Sequence, residues 1–280
     1  MRRPAVFFDP AREWRLNMKR FFLALLIFSL GNSLVEASDP AEDALRERMI
    51  KAGLLPGYLQ AASIPSGIDL LPPPPAEGSA AAARDREGNE RILASADSSR
   101  QQQAKIDAAT VFPGVTHSFA CALGIEIGDA TTPGLYRLLR RSLADFGLST
   151  RPVKQKYMRP RPFLVNGKPP CTPNEIETLR NDGSYPSGHS AYGFGWGLIL
   201  ASVAPDRTDA VMRRGIDFGD SRQVCNVHWP SDVEQGRVLA AAVFARLQAE
   251  AEFRSDVETA RKEVAAARAS GASTPANCPR

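Results

Sequence analysis

The residues best suited to chemistry in this chain are two of its three histidines, His189 and His228. His189 follows Pro186-Ser187-Gly188 and precedes a nearly all-apolar stretch that predicts a helix. Serine favours the position before a helix, and the first amides of a helix have no partner within it, so they bind anions. Gly188 permits close approach of a ligand because it has no β-carbon. We therefore expect Ser187 and Gly188 to bind a phosphate group beside His189.

His228 belongs to a second segment, which begins at Ser221-Arg222 and ends at Asp232. The run Ser231-Asp232-Val233-Glu234 has the pattern of a capping box, which predicts a helix that begins at Ser231 and places His228 in the preceding loop. From the first turn, Asp232 can orient one ring nitrogen of His228 and leave the other free as a nucleophile. The plainer alternative is that Asp232 only complements the helix dipole.

Three basic residues accompany these segments: Lys154, Arg161 and Arg222. A phosphoryl group in transfer spreads negative charge over its oxygens, and fixed cations can stabilise that charge without a metal ion. Arginine suits this task because its planar guanidinium donates two parallel hydrogen bonds to one anion. Taken singly, each of these basic residues is more often a solvated surface charge. The nearby Lys156 and Arg159 are expected to be surface charges of that kind or to support the site without contacting the phosphate. The joint pattern predicts a metal-free phosphate site.

The elements that must position these residues are predicted to be helices. Apolar residues recur at helical spacing after residue 76, and no stretch alternates in the manner of a strand. Helices are expected over 79–96, 101–127 with an interruption near Pro113-Gly114, 135–146, 190–203, 211–221, 231–249 and 256–269. A short helix is expected over 40–52, and the prolines of Leu70 to Pro75 predict an extended segment. The predicted fold is all-α.

The N-terminus has the pattern of a secretion signal. Met18-Lys19-Arg20 is a basic start, and the apolar run Phe21 to Leu30 is too short to span a bilayer. Val35-Glu36-Ala37 supplies the small residues that a signal peptidase prefers. We therefore expect residues 1–37 to be a cleaved signal peptide, with Met18 as the true start, and residues 38–280 to form one helical domain. A buried core helix is the alternative for the apolar run.

The charge of the chain is concentrated in that N-terminal region. Six of the 35 basic side chains but only three of the 31 acidic ones fall in residues 1–37, so the remainder is nearly neutral. A nearly neutral domain gives little reason to expect nucleic acid or an anionic membrane as a partner. We expect neither nucleic-acid binding nor stable membrane association.

The four cysteines predict two disulfides, because an even number in an exported chain usually pairs. We favour Cys121 with Cys225 and Cys171 with Cys278, since the first pair would anchor the loop of the second histidine segment to a helix. Free buried thiols are the alternative. The third histidine, His117, matches no motif and is expected to be an ordinary helix residue.

The three parts together, Lys-x6-Arg-Pro, Pro-Ser-Gly-His and Ser-Arg-x5-His-x3-Asp, resemble the signature of the type 2 phosphatidic acid phosphatase superfamily. Within it, four segments are similar to the class A bacterial non-specific acid phosphatases: Leu70 to Ser79, Tyr157 to Phe163, Gly183 to Ser190 and Asn226 to Arg237. The one small departure is Ser190, where threonine is usual, and both residues carry a hydroxyl. The resemblance covers nearly all of residues 38–280.

The resemblance implies a compact helical bundle of the acid phosphatase and vanadium haloperoxidase type, acting as a broad-specificity acid phosphatase in the periplasm. It implies that His228 attacks phosphorus to form a phosphohistidine, that Asp232 supports it, and that His189 protonates the leaving oxygen and then activates water. The implied phosphate ligands are Lys154, Arg161, Ser187, Gly188 and Arg222. The substrates would be small phosphate monoesters, no cofactor or metal would be required, homo-oligomers are frequent, and transfer to an alcohol is open to the same intermediate.

Three other functions fit part of the pattern. An integral lipid phosphatase would need several membrane spans, and the most apolar remaining stretch, 190–203, is too short. A vanadium-dependent haloperoxidase would hold vanadate where phosphate binds, with His228 as its ligand. A non-catalytic phosphate-binding helical protein would tolerate the loss of either histidine, yet both positions carry competent residues. The acid phosphatase is therefore the leading hypothesis.

Overall fold

The computed structural model describes residues 55–272, 275, 276 and 278, and these residues form helices and no strand. The helices are α1 Gly67–Leu70, α2 Ala80–Ser95, α3 Ser98–Ala108, α4 Gly114–Leu123, α5 Pro133–Tyr157, α6 Pro162–Asn166, α7 Ile176–Arg180, α8 Gly188–Val203, α9 Thr208–Val224, α10 Pro230–Leu247 and α11 Ala251–Ala269. Short 3-10 helices lie at Ala61–Ser63, Pro173–Glu175 and Pro205–Arg207. The expected all-α fold is confirmed. The predicted signal peptide and the helix expected over 40–52 lie outside the described residues.

Helix α8 lies at the centre of the bundle because it is apolar on every side. It packs against α5, α9, α10 and α11. Its residues Trp196, Ile199 and Leu200 are completely buried, as expected for a helix without a polar face. In the part of the chain that the structure describes, neither α8 nor any other helix has both the length and the apolarity needed to cross a bilayer.

Glycines bring α8 and α9 into contact through their backbones. A β-carbon added to Gly215 would lie 2.5 Å from the carbonyl oxygen of Gly193, and one added to Gly193 would lie 2.8 Å from the ring of Phe218. Side chains at these positions would therefore separate the two helices. The first residues of α8 and the last turn of α9 carry His189 and Arg222, so this contact fixes the distance between two parts of the predicted site.

Helix α5 is longer than the predicted span 135–146, because it continues through Pro152 to Tyr157. Its first amides, on Gly134 and Leu135, donate to the carboxylate of Glu263 on α11 at 2.9 and 3.0 Å. It ends where Met158 adopts a left-handed conformation with φ 40°. The tertiary contacts of α5 with α8 and α11 outweigh the helix-breaking tendency of proline. The extension places Lys154 in the last helical turn.

Two disulfides form, as predicted, but their pairing differs from the expected one. Cys121 is joined to Cys278 and Cys171 to Cys225, with Cα–Cα distances of 5.5 and 4.6 Å. The favoured pairing of Cys121 with Cys225 and Cys171 with Cys278 is therefore wrong. The reason is local: the amide of Cys171 donates to the carbonyl of Cys225 at 3.2 Å, so the segment after α6 runs directly beside the end of α9. The bond tethers the loop before His228 to that segment rather than to α4.

We expect Gly215→Ala to lower the free energy of unfolding by about 1–3 kcal/mol, because the added methyl group would press on the backbone of α8. Gly147→Ala is the matched control: Gly147 lies inside α5, and a β-carbon there would meet no atom within 4 Å. This control should leave the stability unchanged or raise it by about 0.4–1 kcal/mol. Urea denaturation measures both. Equal stabilities of the two variants would contradict the close backbone contact.

Candidate active site

Helix α8 begins at the predicted phosphate segment. Ser187 caps the helix, and its Oγ accepts a hydrogen bond from the amide of Ser190 at 3.2 Å. The amide of Ser187 donates to the carbonyl of Asp232 at 2.9 Å, which ties the start of α8 to the start of α10. A β-carbon added to Gly188 would come no closer than 3.7 Å to a described protein atom, Oγ1 of Thr150. Packing within the protein therefore does not require glycine at this position, whereas close approach of an anion would.

His189 is held by the end of α3. Its Nε2 lies 3.1 Å from the carbonyl oxygen of Ala108, and its ring stacks on Phe218 with centroids 5.8 Å apart. Because a carbonyl oxygen only accepts, Nε2 carries a hydrogen, and Nδ1 is the nitrogen able to exchange a proton. Burial and the charge of Arg222 hold the pKa of His189 well below its ordinary value. His189 is therefore neutral in the free protein at neutral pH.

His228 is buried between a carboxylate and a guanidinium. Its Nδ1 lies 3.4 Å from Oδ2 of Asp232, and its Nε2 lies 3.2 Å from Nη1 of Arg161. A guanidinium only donates, so these partners assign the hydrogen to Nδ1 and the lone pair to Nε2. Burial, followed by the charges of Arg161 and Lys154, holds the pKa of His228 well below its ordinary value. The imidazole is therefore neutral and carries a lone pair on the side of the cations.

Asp232 also caps the helix on which it lies. Helix α10 begins at Pro230 rather than at the predicted Ser231, and Oδ2 of Asp232 accepts the amide of the capping residue Trp229 at 2.8 Å. Proline favours the first helical position, which explains the earlier start. The amide and hydroxyl of Ser231 instead donate to Asp85 on α2, at 3.0 and 2.6 Å. The capping carboxylate is therefore the one that also contacts His228.

Two of the predicted cations share one acidic partner. Oδ2 of Asp182 accepts hydrogen bonds from Nη2 of Arg161 at 2.7 Å and from Nζ of Lys154 at 3.1 Å. Arg161 also donates to the carbonyl of Val227 at 3.0 Å, and Lys154 donates to the carbonyl of Gly183. Burial and the neighbouring charge of Arg161 lower the pKa of Lys154 to about 8. Lys154 therefore keeps its charge at acidic and neutral pH.

Arg222 differs from the other two cations because part of its guanidinium has no acceptor. The residue is 2% exposed, and its Nε and Nη1 have no hydrogen-bond partner among the residues that the structure describes. A buried charged group without partners is costly, so an anion beside this guanidinium would supply acceptors that the described residues do not. The carbonyl of Arg222 accepts the amides of Val227 and His228 at 3.1 and 3.3 Å. The same residue therefore holds the loop that carries His228.

Comparison with known proteins agrees with this geometry. Residues 138–251 match the family model of the PAP2 superfamily. A non-specific acid phosphatase of Providencia stuartii is 36% identical over 209 residues, which are 74% of this chain and 84% of that protein. A non-specific acid phosphatase of Salmonella typhimurium is 38% identical over 195 residues (69% and 78%), and an acid phosphatase of Zymomonas mobilis is 39% identical over 200 residues (71% and 76%). The chain belongs to the acid phosphatases of the PAP2 superfamily.

In this acid phosphatase, the predicted site residues from five different helix ends and loops lie in one cluster. Asp182 links two cations, Arg161 contacts His228, and His228 contacts Asp232. The start of α8 joins the cluster through the hydrogen bond between Ser187 and Asp232. The cluster contains Lys154, Arg161, Ser187, Gly188, His189, Arg222, His228 and Asp232. Their assigned roles remain predictions, whereas their proximity follows from these contacts.

Two important residues of the site were not recognised from the sequence. Arg159, considered a surface or supporting charge, is nearly buried and donates to Oδ1 of Asp232 at 2.6 Å and to Oδ2 of Asp85 at 2.7 Å. Burial raises the pKa of Asp232, and the charge of Arg159 opposes that rise. Nothing in the sequence distinguishes Asp85 from the other charges of α2. Only the packing of α2 against α10 shows that it faces inwards.

An amide cluster fixes the backbone of the loop before His228. Asn226 is buried and has φ 58°, a left-handed conformation that asparagine tolerates better than most residues. Its Oδ1 accepts from the side chains of Asn89 at 3.1 Å and Asn166 at 2.9 Å, and its Nδ2 donates to the carbonyl of Lys168 at 2.7 Å. Two separate segments, α2 and the end of α6, thus hold the turn that presents His228.

We expect Asp85→Asn to lower kcat by up to about a hundredfold with little change in KM, because Arg159 would lose a charged partner and Asp232 would shift against His228. Steady-state hydrolysis of p-nitrophenyl phosphate measures both constants.

Asp256→Asn is the matched control for this change. Asp256 is also buried, and it accepts from Tyr58 at 2.7 Å and from Arg137 at 2.6 Å, but it lies on α11, which contributes no residue to the site. Both variants should lose stability, and only Asp85→Asn should lose kcat. An unchanged kcat in Asp85→Asn would show that Asp85 supports the fold alone.

Proposed function

We propose that this protein is an exported, periplasmic acid phosphatase that hydrolyses a broad range of phosphate monoesters through a phosphohistidine at His228. The observation that carries the proposal is a buried imidazole whose Nε2 lies 3.2 Å from Nη1 of Arg161. Burial and the charges of Arg161, Lys154 and Arg222 lower its pKa, which favours the neutral form. Its Nδ1 contacts Asp232, as a supported nucleophile requires. The relatives named non-specific acid phosphatase support the same activity.

In the first step, Nε2 of His228 attacks phosphorus as the bond to the ester oxygen breaks. Asp232 accepts a hydrogen bond from Nδ1 and offsets the positive charge that develops on the ring. The leaving oxygen takes one proton, which Nδ1 of His189 supplies. Because His189 is neutral in the free protein, that proton enters with the ester monoanion or is taken up once the negative phosphate binds. The product alcohol then leaves, and the phosphoryl group stays on His228.

In the second step, the phosphohistidine is hydrolysed. Nδ1 of His189, now without its proton, takes one from a water molecule whose oxygen attacks phosphorus. The bond between nitrogen and phosphorus breaks, phosphate leaves, and His228 regains its lone pair. An alcohol in place of this water would give phosphotransfer by the same route, and its share depends on how well the acceptor binds.

The charges around the phosphoryl group come from the protein itself. Lys154, Arg161 and Arg222 supply three cations, and the start of α8 adds the hydroxyl of Ser187 and the backbone amide of Gly188. Within the described part of the chain, Arg222 has two nitrogens without a hydrogen-bond partner, and these are suited to the anion. These groups would stabilise the negative charge of the transition state, so we propose that hydrolysis requires no metal ion or other cofactor.

Export is supported by the two disulfides, since such bonds persist in oxidising compartments. The proposed signal peptide, residues 1–37, and its cleavage after Ala37 lie outside the described residues. Formation of homo-oligomers likewise stays a prediction.

We expect the full-length protein to release p-nitrophenol from p-nitrophenyl phosphate in the presence of a chelator. His228→Ala should abolish turnover, because it removes the nitrogen that takes the phosphoryl group. His189→Ala should retain the first step with this good leaving group but slow the second by about 10²–10⁴-fold, so that a phosphoenzyme accumulates. Rapid quenching with radiolabelled substrate detects it as an acid-labile label.

His117→Ala is the matched control, because this third histidine lies on α4 and contacts Cys121 rather than the site. It should keep full activity. Turnover by His228→Ala, loss of activity with the chelator, or oxidation of halide with vanadate and peroxide in place of ester hydrolysis would each contradict the proposal.

We expect kcat/KM to be bell-shaped against pH, with its acidic limb well below pH 6.5, the ordinary pKa of histidine. His228 acts only when unprotonated, and its lowered pKa keeps it so until the pH falls through that lowered value. The basic limb should begin near pH 6, where the ester loses the proton that a neutral His189 cannot replace. Above pH about 8, deprotonation of Lys154 should lower the rate further. An acidic limb at or above pH 6.5 would contradict this assignment.

A further inference from the structure

The hydroxyl of Tyr192 is a buried polar group that the mechanism above does not use. Tyr192 lies on α8, one turn after His189, and is 5% exposed. Its hydroxyl oxygen has no hydrogen-bond partner within the described part of the chain. A buried hydroxyl without a partner is destabilising, so its presence calls for an acceptor that the protein itself does not supply.

The side chain of Tyr192 is directed towards the site by helix geometry. Side chains on a helix lean towards its N-terminus and cover the preceding turn. For Tyr192, the preceding turn is the one that begins at Ser187 and carries His189. The ring centroids of Tyr192 and His189 are 5.1 Å apart, and both rings contact Phe218. The phenol is therefore packed beside the catalytic acid.

Arg222 shares this property, because two of its nitrogens also lack a partner among the described residues. Burial raises the pKa of Tyr192 well above its ordinary value, against the opposing charge of Arg222, so the phenol keeps its hydrogen. The adjacent carboxylate of Asp107 is already occupied by Gln103, Arg214 and Ser221. The hydroxyl of Tyr192 and the guanidinium of Arg222 thus both have donors without an acceptor among the described residues, which favours an oxygen-rich anion.

We propose that Tyr192 is a further phosphate ligand, whose hydroxyl donates a hydrogen bond to a non-bridging phosphoryl oxygen beside Arg222. This inference rests on the proposed function for the identity of the anion, and it adds a substrate-contacting residue outside the three motifs. Since Tyr192 and His189 lie on one helix, the hydrogen bond would also fix the phosphoryl group relative to the catalytic acid. Hydrogen bonds to charged groups are stronger than those between neutral groups, so its loss should be measurable.

The test compares the full-length wild type with Tyr192→Phe, using inorganic phosphate as the probe. Calorimetric titration should give a phosphate Kd about tenfold higher for Tyr192→Phe than for the wild type. In the absence of phosphate, the thermal midpoint of the variant should be equal or higher, because the substitution removes an unpartnered buried hydroxyl and nothing else. Weaker binding without a loss of stability is a combination that a structural role would not produce.

Tyr58→Phe is the matched control, because Tyr58 is a buried tyrosine whose hydroxyl has a protein partner. It donates to Oδ2 of Asp256 at 2.7 Å, on α11. This variant should melt at a lower temperature than the wild type and bind phosphate with the same Kd. Tyr192→Phe should therefore weaken phosphate binding without lowering the thermal midpoint, whereas Tyr58→Phe should lower the thermal midpoint without weakening phosphate binding.

An unchanged phosphate Kd in Tyr192→Phe, whether or not its thermal midpoint falls, would overturn the role of Tyr192. A wild type that neither binds phosphate nor hydrolyses p-nitrophenyl phosphate would overturn the proposed function, and the role of Tyr192 with it. If the wild type binds phosphate and hydrolyses p-nitrophenyl phosphate, and Tyr192→Phe has the same phosphate Kd, only the role of Tyr192 is overturned. The failures of the two proposals are thus distinguishable.

Discussion

Lys154, Arg161 and Arg222 are like charges that repel one another, and the fold keeps them together with little access to water. Like charges interact more strongly in a buried site than in solution, so each requires compensation. Asp182 neutralises part of the charge of the first two, and the carbonyls of Val227 and Gly183 accept further hydrogen bonds. Two nitrogens of Arg222 have no hydrogen-bond partner among the residues described by the structure. The cluster is thereby prepared for an anion at the cost of stability in the free protein.

The same positive charge determines how the two histidines behave. Burial and the surrounding cations lower the pKa of both imidazoles, so both stay neutral at pH values somewhat below the ordinary pKa of histidine. The proposed nucleophile, His228, resists protonation, which suits an enzyme that works in acid. The proposed acid, His189, is neutral before substrate binds and must gain its proton with or after substrate binding. The acidic optimum expected of this family can therefore arise from one electrostatic cause. Asp232 and the cations act on opposite sides of His228, which gives its two nitrogens different tasks.

Much of this arrangement was predictable because helix ends and motifs have local causes. The cap at Ser187, the loop position of His228 and the helices around both follow from residue types at short spacing. The end of α5 was not predictable, because contacts with α8 and α11 carry that helix through Pro152 to Lys154. The start of α10 was missed by one residue for a local reason, since Pro230 takes the first helical position and Trp229 the capping position.

The sequence by itself determined the all-α class through helical periodicity, and its motifs resembled the family to which the chain belongs. It also predicted the eight residues that the fold brings together, whose roles remain predictions. Only the tertiary structure decided the disulfide pairing and the inward orientation of Asp85, Arg159 and Tyr192. Those features depend on contacts between segments that are far apart in the sequence. The residue type alone does not show whether a charged group or a hydroxyl lies on a buried or an exposed face. Burial then decides which of them shapes the chemistry.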